Sequence, residues 1–302
     1  MCMQTTRERG LRLTVAVAML ALPPIAAFAA DAGVAVGPQY DTTHVYLDVG
    51  DVDRFIASFT ATFGGTSTKQ VVATVTPTPS STTSQLIQTP AGLVSLFGFK
   101  TPIPYPFGTE RTGYLVKDLD SAIAAARKAG AAVVVDSYPD PIGRDAIVQW
   151  PGGVNMQLYW HTKAPAYAPL QTVPENRVYL SPDVADVFVA DFVKFSQGRV
   201  VSDTSDAAGT DIGRDRADTY RRIQLESAFG TVTVLVTDGH LPYPFGRETT
   251  GYEVTDLEAT LGKATASGAR ILVPPFAANG REAAMVEFPG GYISEIHSVA
   301  ER

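Results

Sequence analysis

Glu295 and His297 stand two residues apart in Tyr292-Ile293-Ser294-Glu295-Ile296-His297, a run that alternates as a half-buried strand does, so their side chains share one face. A carboxylate and an imidazole so placed can hold a cation or move a proton. Turned into an apolar cleft the carboxylate demands a partner, and turned outward the pair is a solvated edge. His44 is a strand histidine that by itself reads as a surface ring. Arg144 and Arg281 each follow a glycine at the start of a strand, where they can bind an anionic group or merely pair with Asp145 and Glu282. His240 reads as a solvated loop histidine. No P-loop, Rossmann glycine fingerprint or nucleophile elbow occurs, so no nucleotide cofactor is expected.

The elements that must position these residues come twice. Pro104-Tyr105-Pro106-Phe107-Gly108-Thr109-Glu110 recurs as Pro242-Tyr243-Pro244-Phe245-Gly246-Arg247-Glu248, at an offset of 138 residues. Asp118-Leu119 and Asp256-Leu257 keep that offset, as do Pro151-Gly152-Gly153 and Pro289-Gly290-Gly291. One offset over several signatures marks a duplicated unit. Gln157 and Tyr159 hold in the first copy the places of Glu295 and His297 in the second. Tyr243 and Phe245, with Tyr105 and Phe107, either line a cleft or plug the end of a domain, and Glu110 and Glu248 either cap or brace that loop.

Each copy carries its own rhythm. His44–Val49 alternates as a strand, Asp51 can cap a helix running to Phe63, and Gly64-Gly65 stops it. Strand-like runs follow at 70–75, 84–88 and 93–97. The order then repeats, with a strand at 113–116, a cap at Asp118 or Asp120, an Ala-rich helix closed by Gly130, and strands at 132–136, 146–149 and 155–160. That is βαβββ twice. The second copy reads the same way from Arg177 to Val299, although Asp203–Asp218 is long, polar and weakly periodic. Pro165, Pro169 and Pro174 mark a linker between the copies.

The beginning of the chain differs. Arg7, Arg9 and Arg12 precede an almost continuously apolar stretch from Leu13 to Ala27, and Ala27-Phe28-Ala29 has the small-x-small form that a signal peptidase reads. Pro23 and Pro24 interrupt that stretch, which falls short of the ~20 residues a spanning helix needs. Residues 1–29 are therefore expected to be a cleaved export signal, leaving a periplasmic or secreted protein without a membrane span. Its single cysteine, Cys2, would leave with the signal, and with it any thiol chemistry. The formal charge of −7 becomes about −9 once three arginines and Glu8 are removed, which is unsuited to nucleic acid. The 302 residues fit about two domains of ~100–150 residues.

Paired βαβββ units with these signatures resemble the vicinal oxygen chelate superfamily, which includes glyoxalase, bleomycin-resistance and extradiol dioxygenase-like proteins. The matching stretches are Thr43-His44-Val45-Tyr46-Leu47, the strand-to-helix step from Gly113 to Asp120, and the last hairpins Arg144–Gln157 and Arg281–Glu295. The resemblance implies an α+β chain with one glyoxalase-like domain at 38–162, a linker at 163–173 and a second domain at 174–300. Each domain would be a pair of βαβββ motifs forming a half-open mixed sheet around a cleft. It also implies one divalent ion, bound by the first strand of one motif and by the first and last strands of its partner.

Carried onto this chain, the first-strand ligand position is His44 in one copy and Arg177 in the other. The position that opens the later motif is Arg111 or Thr249, and the last-strand acid is Gln157 or Glu295. Arginine has no acceptor and cannot ligate a cation, so neither copy alone holds a full set. Pairing of motifs within a copy would leave the ligands divided. Exchanged pairing between copies would gather His44, Thr249, Glu295 and His297 in one cleft, with Arg177, Arg111 and Gln157 in the other. Two functional readings stay open. An exported lyase, isomerase or dioxygenase acting on a small organic substrate would hold its metal with His44, Glu295 and His297, with Glu295 as ligand or proton acceptor. A binding or sequestering protein of the bleomycin-resistance type would hold none. In either case Gln157, Tyr159, Arg144, Arg281, Tyr243 and Phe245 are the expected contacts to the small molecule.

Overall fold

Alternation in β1 (Asp41–Asp48) sets the plan of the first sheet. Val45 and Leu47 join an apolar layer, whereas His44 and Tyr46 take the opposite face. The computed structural model describes residues 33–73, 76 and 80–299, and the expected export signal lies outside them. Among the described residues no helix is long and apolar enough to cross a membrane.

The first copy continues through α1 (Val52–Phe63), β2 (Thr66–Ser67), β3 (Val71–Ala73), β4 (Thr82–Thr89) and β5 (Gly92–Phe99). Asp51 stands at the N-cap of α1, but its carboxylate pairs with Arg54 instead of capping the backbone. Gly64, at φ 78°, ends the helix in a conformation that glycine adopts freely. The later half is β6 (Glu110–Leu115), α2 (Leu119–Ala129), β7 (Ala132–Asp140), β8 (Gly143–Gln149) and β9 (Asn155–His161). Asp118 caps α2 by accepting from the Ser121 amide at 2.8 Å.

The second copy repeats this with β10 (Glu175–Leu180), α3 (Pro182–Ser196), β11 (Arg199–Ala208), β12 (Thr219–Ser227) and β13 (Gly230–Val236). It closes with β14 (Thr249–Glu253), α4 (Leu257–Ala266), β15 (Arg270–Ala278), β16 (Arg281–Phe288) and β17 (Tyr292–Val299). The polar stretch at 203–218 holds most of β11 and a short 3-10 turn, Gly209–Ile212. Its periodicity is weak because β11 is an edge strand, exposed along most of its length.

Strand order is the same in both sheets. The first runs β2-β4-β5-β1-β6-β9-β8-β7, with β3 also on β4, and the second runs β11-β12-β13-β10-β14-β17-β16-β15. The two motifs of a copy meet where β1 pairs antiparallel with β6, and β10 with β14. Motifs therefore pair within each copy, by the short connections that favour sequence neighbours. Among the described residues no strand of one copy pairs with a strand of the other.

The exchange is found in the core instead. Phe55 and Phe59 of α1 lie against Phe288 and Tyr292 of the second sheet, with ring centroids 5.2–6.5 Å apart. Phe192 and Phe195 of α3 pack on Trp150 of the first copy at 5.7 and 5.1 Å. Each copy's first helix thus covers the later half-sheet of the other. Two continuous apolar clusters result, each built from both copies. Such ring pairs contribute roughly 0.5–1.5 kcal/mol each beyond the area they bury, so the copies stabilise one another.

Candidate functional site

Strand phase decides which side chains enter each cleft. In the first sheet His44 lies directly across from Arg111, and Gly113 sits beside Gln157 of β9. A Cβ on Gly113 would fall 1.9 Å from His44 Cε1, so only glycine leaves room for the imidazole. His44 Nδ1 donates to the Thr42 carbonyl at 3.2 Å, and the ring stacks on Phe97. Burial, with Arg111 adding to it, lowers the His44 pKa to about 3, so the ring is neutral and Nε2 is an acceptor.

Gln157 is fixed between two neighbours. Its Oε1 accepts from Tyr46 Oη at 3.1 Å, and its Nε2 donates to Asp145 Oδ2 at 3.0 Å. Burial pushes the Asp145 carboxyl well above its usual range. Tyr159 Oη lies 2.8 Å from Thr42 Oγ1 and donates to the Tyr40 carbonyl at 2.5 Å. Arg111 is 2% exposed, with its guanidinium carbon 5.6 Å from the Tyr46 ring centre and 5.1 Å from that of Phe107.

The second cleft is built around charges. Arg177 takes the place of His44, and its Nη1 is in direct contact with Glu295 Oε2. Arg281 Nη2 lies 3.4 Å from Glu295 Oε1, while Arg281 Nη1 donates to Glu175 Oε2 at 2.5 Å. Arg281 Nη1 is also 3.3 Å from His297 Nε2, and His297 Nδ1 is 3.2 Å from Glu295 Oε1 without hydrogen-bond alignment. Burial and then Arg281 lower the His297 pKa to about 3, leaving it neutral. Burial alone would raise Glu175, but Arg281 and Arg177 pull it down to about 2.

The expected site residues therefore separate. His44, Gln157 and Tyr159 lie on the first sheet, and Glu295, His297 and Arg281 on the second, so His44 is not brought together with Glu295 and His297. Arg144 lies outside both clefts. Its partner is Asp120 at 3.0 Å, not Asp145, and its side chain is partly exposed. Arg281 pairs opposite Val299 and Arg144 opposite Trp160, one step out of phase, and in a strand one step reverses the face. Tyr243 is 62% exposed under Arg247 and lines neither cluster, whereas Phe245 packs on Phe276 with centroids 6.0 Å apart. Tyr46 and Glu175 enter the clefts because they lie two residues from His44 and from Arg177, a period-two signal present in the sequence.

The donor set does not fit a divalent ion. Glu295 is committed to two guanidinium groups, His297 turns its acceptor nitrogen towards Arg281, and Arg177 stands in the first-strand ligand position. In the first cleft the position opposite His44 is again an arginine, and the acid position is an amide. Among the described residues no three His, Cys, Asp or Glu side chains are arranged for a metal.

No family model matches the sequence, and no curated protein sequence does. Solved structures do match. A variant of 4-hydroxymandelate synthase from Streptomyces coelicolor is similar over 88% of this chain and 93% of its own, with TM-score 0.60 and 13% identity. The Mn(II)-bound glyoxalase from Novosphingobium aromaticivorans is similar over 89% and 83%, with TM-score 0.52 and 16% identity. A variant of homoprotocatechuate 2,3-dioxygenase from Brevibacterium fuscum is similar over 89% and 73%, with TM-score 0.51 and 13% identity. The chain shares its fold with these three proteins. Each copy of the chain forms one mixed sheet with the same strand order, while the polar groups inside are those just described.

Proposed function

We propose that this chain is a small-molecule-binding protein on the vicinal oxygen chelate fold that works without a protein-held divalent ion. One observation carries the reading: Arg177 in contact with Glu295 places a permanent cation where the fold's first-strand ligand would stand. A guanidinium there repels a metal and also removes the carboxylate that would hold it. What the clefts offer a ligand is aromatic faces and fixed hydrogen-bonding groups, the usual lining of a small-molecule site.

The structural neighbours support a second reading. They carry the names of a synthase, a Mn(II)-bound glyoxalase and a dioxygenase, and a lyase, isomerase or dioxygenase activity would follow them. Metal analysis of untagged protein, before and after incubation with Mn(II), Fe(II) or Zn(II), decides between the two. The expected result is far less than one ion per chain. One tightly held ion per chain, lost in Glu295→Gln, would establish the enzyme reading instead.

Export belongs to the same proposal. Intact-mass measurement of protein from the cell envelope should show a chain beginning at Ala30 or Asp31. A full-length cytoplasmic product would overturn it. The domains are proposed to run over 38–162 and 174–300, with 163–173 between them.

A further inference from the structure

We infer that the cleft of the first sheet binds a small organic carboxylate attached to a flat apolar body, with Arg111 as its anchor; this rests on the metal-free reading above. Arg111 is almost fully buried, yet none of the ion pairs among the described residues includes it. Its polar contact is Tyr46 Oη at 3.4 Å, and its Nε has no hydrogen-bond partner. Of the acids around it, Asp145 is bound to Gln157, and Glu248 is drawn by Arg111 without forming an ion pair with it; burial holds both towards their neutral forms. A buried guanidinium without an ion-pair partner is costly, a cost that an incoming carboxylate offsets through two parallel N–H···O bonds.

The surroundings select the rest of the ligand. Tyr46 and Phe107 present ring faces to the guanidinium, and Phe97, Phe99 and Ile147 continue the same apolar cluster. Tyr138 Oη, buried and without a partner, is a further donor in that cluster. One fixed positive charge among rings fits a monoanion with a planar body better than a strongly hydrated dianion. The second cleft offers no such unpaired cation, because Arg177 and Arg281 are each already paired with glutamates.

Titration calorimetry on the full mature chain tests this with benzoate, its neutral counterpart benzamide, and inorganic phosphate. Benzoate is expected to bind at least tenfold more tightly than either of the others. Arg111→Met is expected to lose benzoate binding by at least tenfold while keeping or raising the melting temperature of the free protein, since a lone buried charge is removed. Arg111→Lys, which keeps the charge but not the fork, should fall between. Equal binding of benzamide, tighter binding of phosphate, or unchanged benzoate affinity in Arg111→Met would overturn the carboxylate site. If Arg111→Met fails to fold, Arg111→Lys and the benzoate-to-benzamide ratio in the unaltered protein carry the decision. Benzoate binding that requires an added divalent ion and vanishes with a chelator sinks the metal-free reading. No benzoate binding with or without the ion sinks only the carboxylate site.

Discussion

Arg177 and Glu295 meet on the face of the second sheet with 3% and 0% of their side-chain surface exposed, guanidinium on carboxylate. Around them Glu175, Arg281 and His297 complete a group of two cations, two anions and a neutral ring. In such a group the balance of charge matters more than any single contact. Removing one member leaves a buried charge uncompensated, at a cost of roughly 3–5 kcal/mol, whereas removing a matched pair is often nearly neutral.

Glu295→Gln and Arg177→Met are therefore each expected to lower the unfolding free energy by roughly 3–5 kcal/mol. The double variant Arg177→Met with Glu295→Gln should lie closer to the unaltered protein than either single change. Urea unfolding of the four proteins checks this. Single-variant losses below about 1 kcal/mol, or strictly additive losses, would contradict the balanced network.

The two arginines that follow glycines should behave oppositely. Arg144 pairs with Asp120 at the surface, so Arg144→Ala should change stability by no more than ~0.5 kcal/mol. Arg281 touches Glu175, Glu295 and His297 in the interior, so Arg281→Ala should cost roughly 3–5 kcal/mol. The same urea measurement compares them, and equal effects would refute the assignment of opposite strand faces.

Much of the fold was legible because duplication and alternation are properties of the sequence itself. Asp118, Gly64 and Gly130 stop or start helices as expected, and His44–Val49 lies on β1 but for its last residue. The site was legible only in pieces. Glu295 and His297 do share a buried face, but what they face depends on which motifs pair, and no local pattern encodes that. The phase error at Arg144 has a similar origin: a one-residue shift in the hairpin alignment is invisible until the partner strand is known. Asp145 drew notice only as a partner for Arg144, whereas the structure turns it inward to Gln157.

The interlocked core gives a prediction about folding. Phe59, fully buried, touches Tyr252, Phe288 and Tyr292 of the other copy. Phe59→Ala should cost roughly 3–5 kcal/mol, and the second domain expressed alone should expose the surface that α1 covers. Thermal unfolding and binding of a hydrophobic dye to the isolated domain test this. A separate domain that unfolds cooperatively without binding dye would show that the two cores are independent.

Glu110 and Glu248 supply a pH dependence. They line a crevice together with Thr112, Asn155, Arg177 and Thr249. Glu110 accepts from Thr250 Oγ1 at 2.5 Å, an interaction between the two copies. Burial raises Glu110 to about 8, opposed by the Thr250 hydrogen bond and reinforced by Glu248. Burial raises Glu248 to about 7, against the pull of Arg111. An acid whose folded pKa lies above its unfolded value binds more protons when folded, so its contribution is complete below about 4.5 and declines until pH passes the folded pKa. The buried histidines act in the opposite sense, since His44 and His297 are lowered from 6.5 to about 3 and cost stability only below 6.5. Between pH 6.5 and 8.5 the carboxyls dominate, with Asp145 acting in the same direction. The melting temperature is thus expected to fall across that window by several degrees, and Glu110→Gln with Glu248→Gln should flatten the fall. Melting curves at half-unit pH steps make the comparison. A double variant with the same slope as the unaltered protein would remove these two glutamates as its cause.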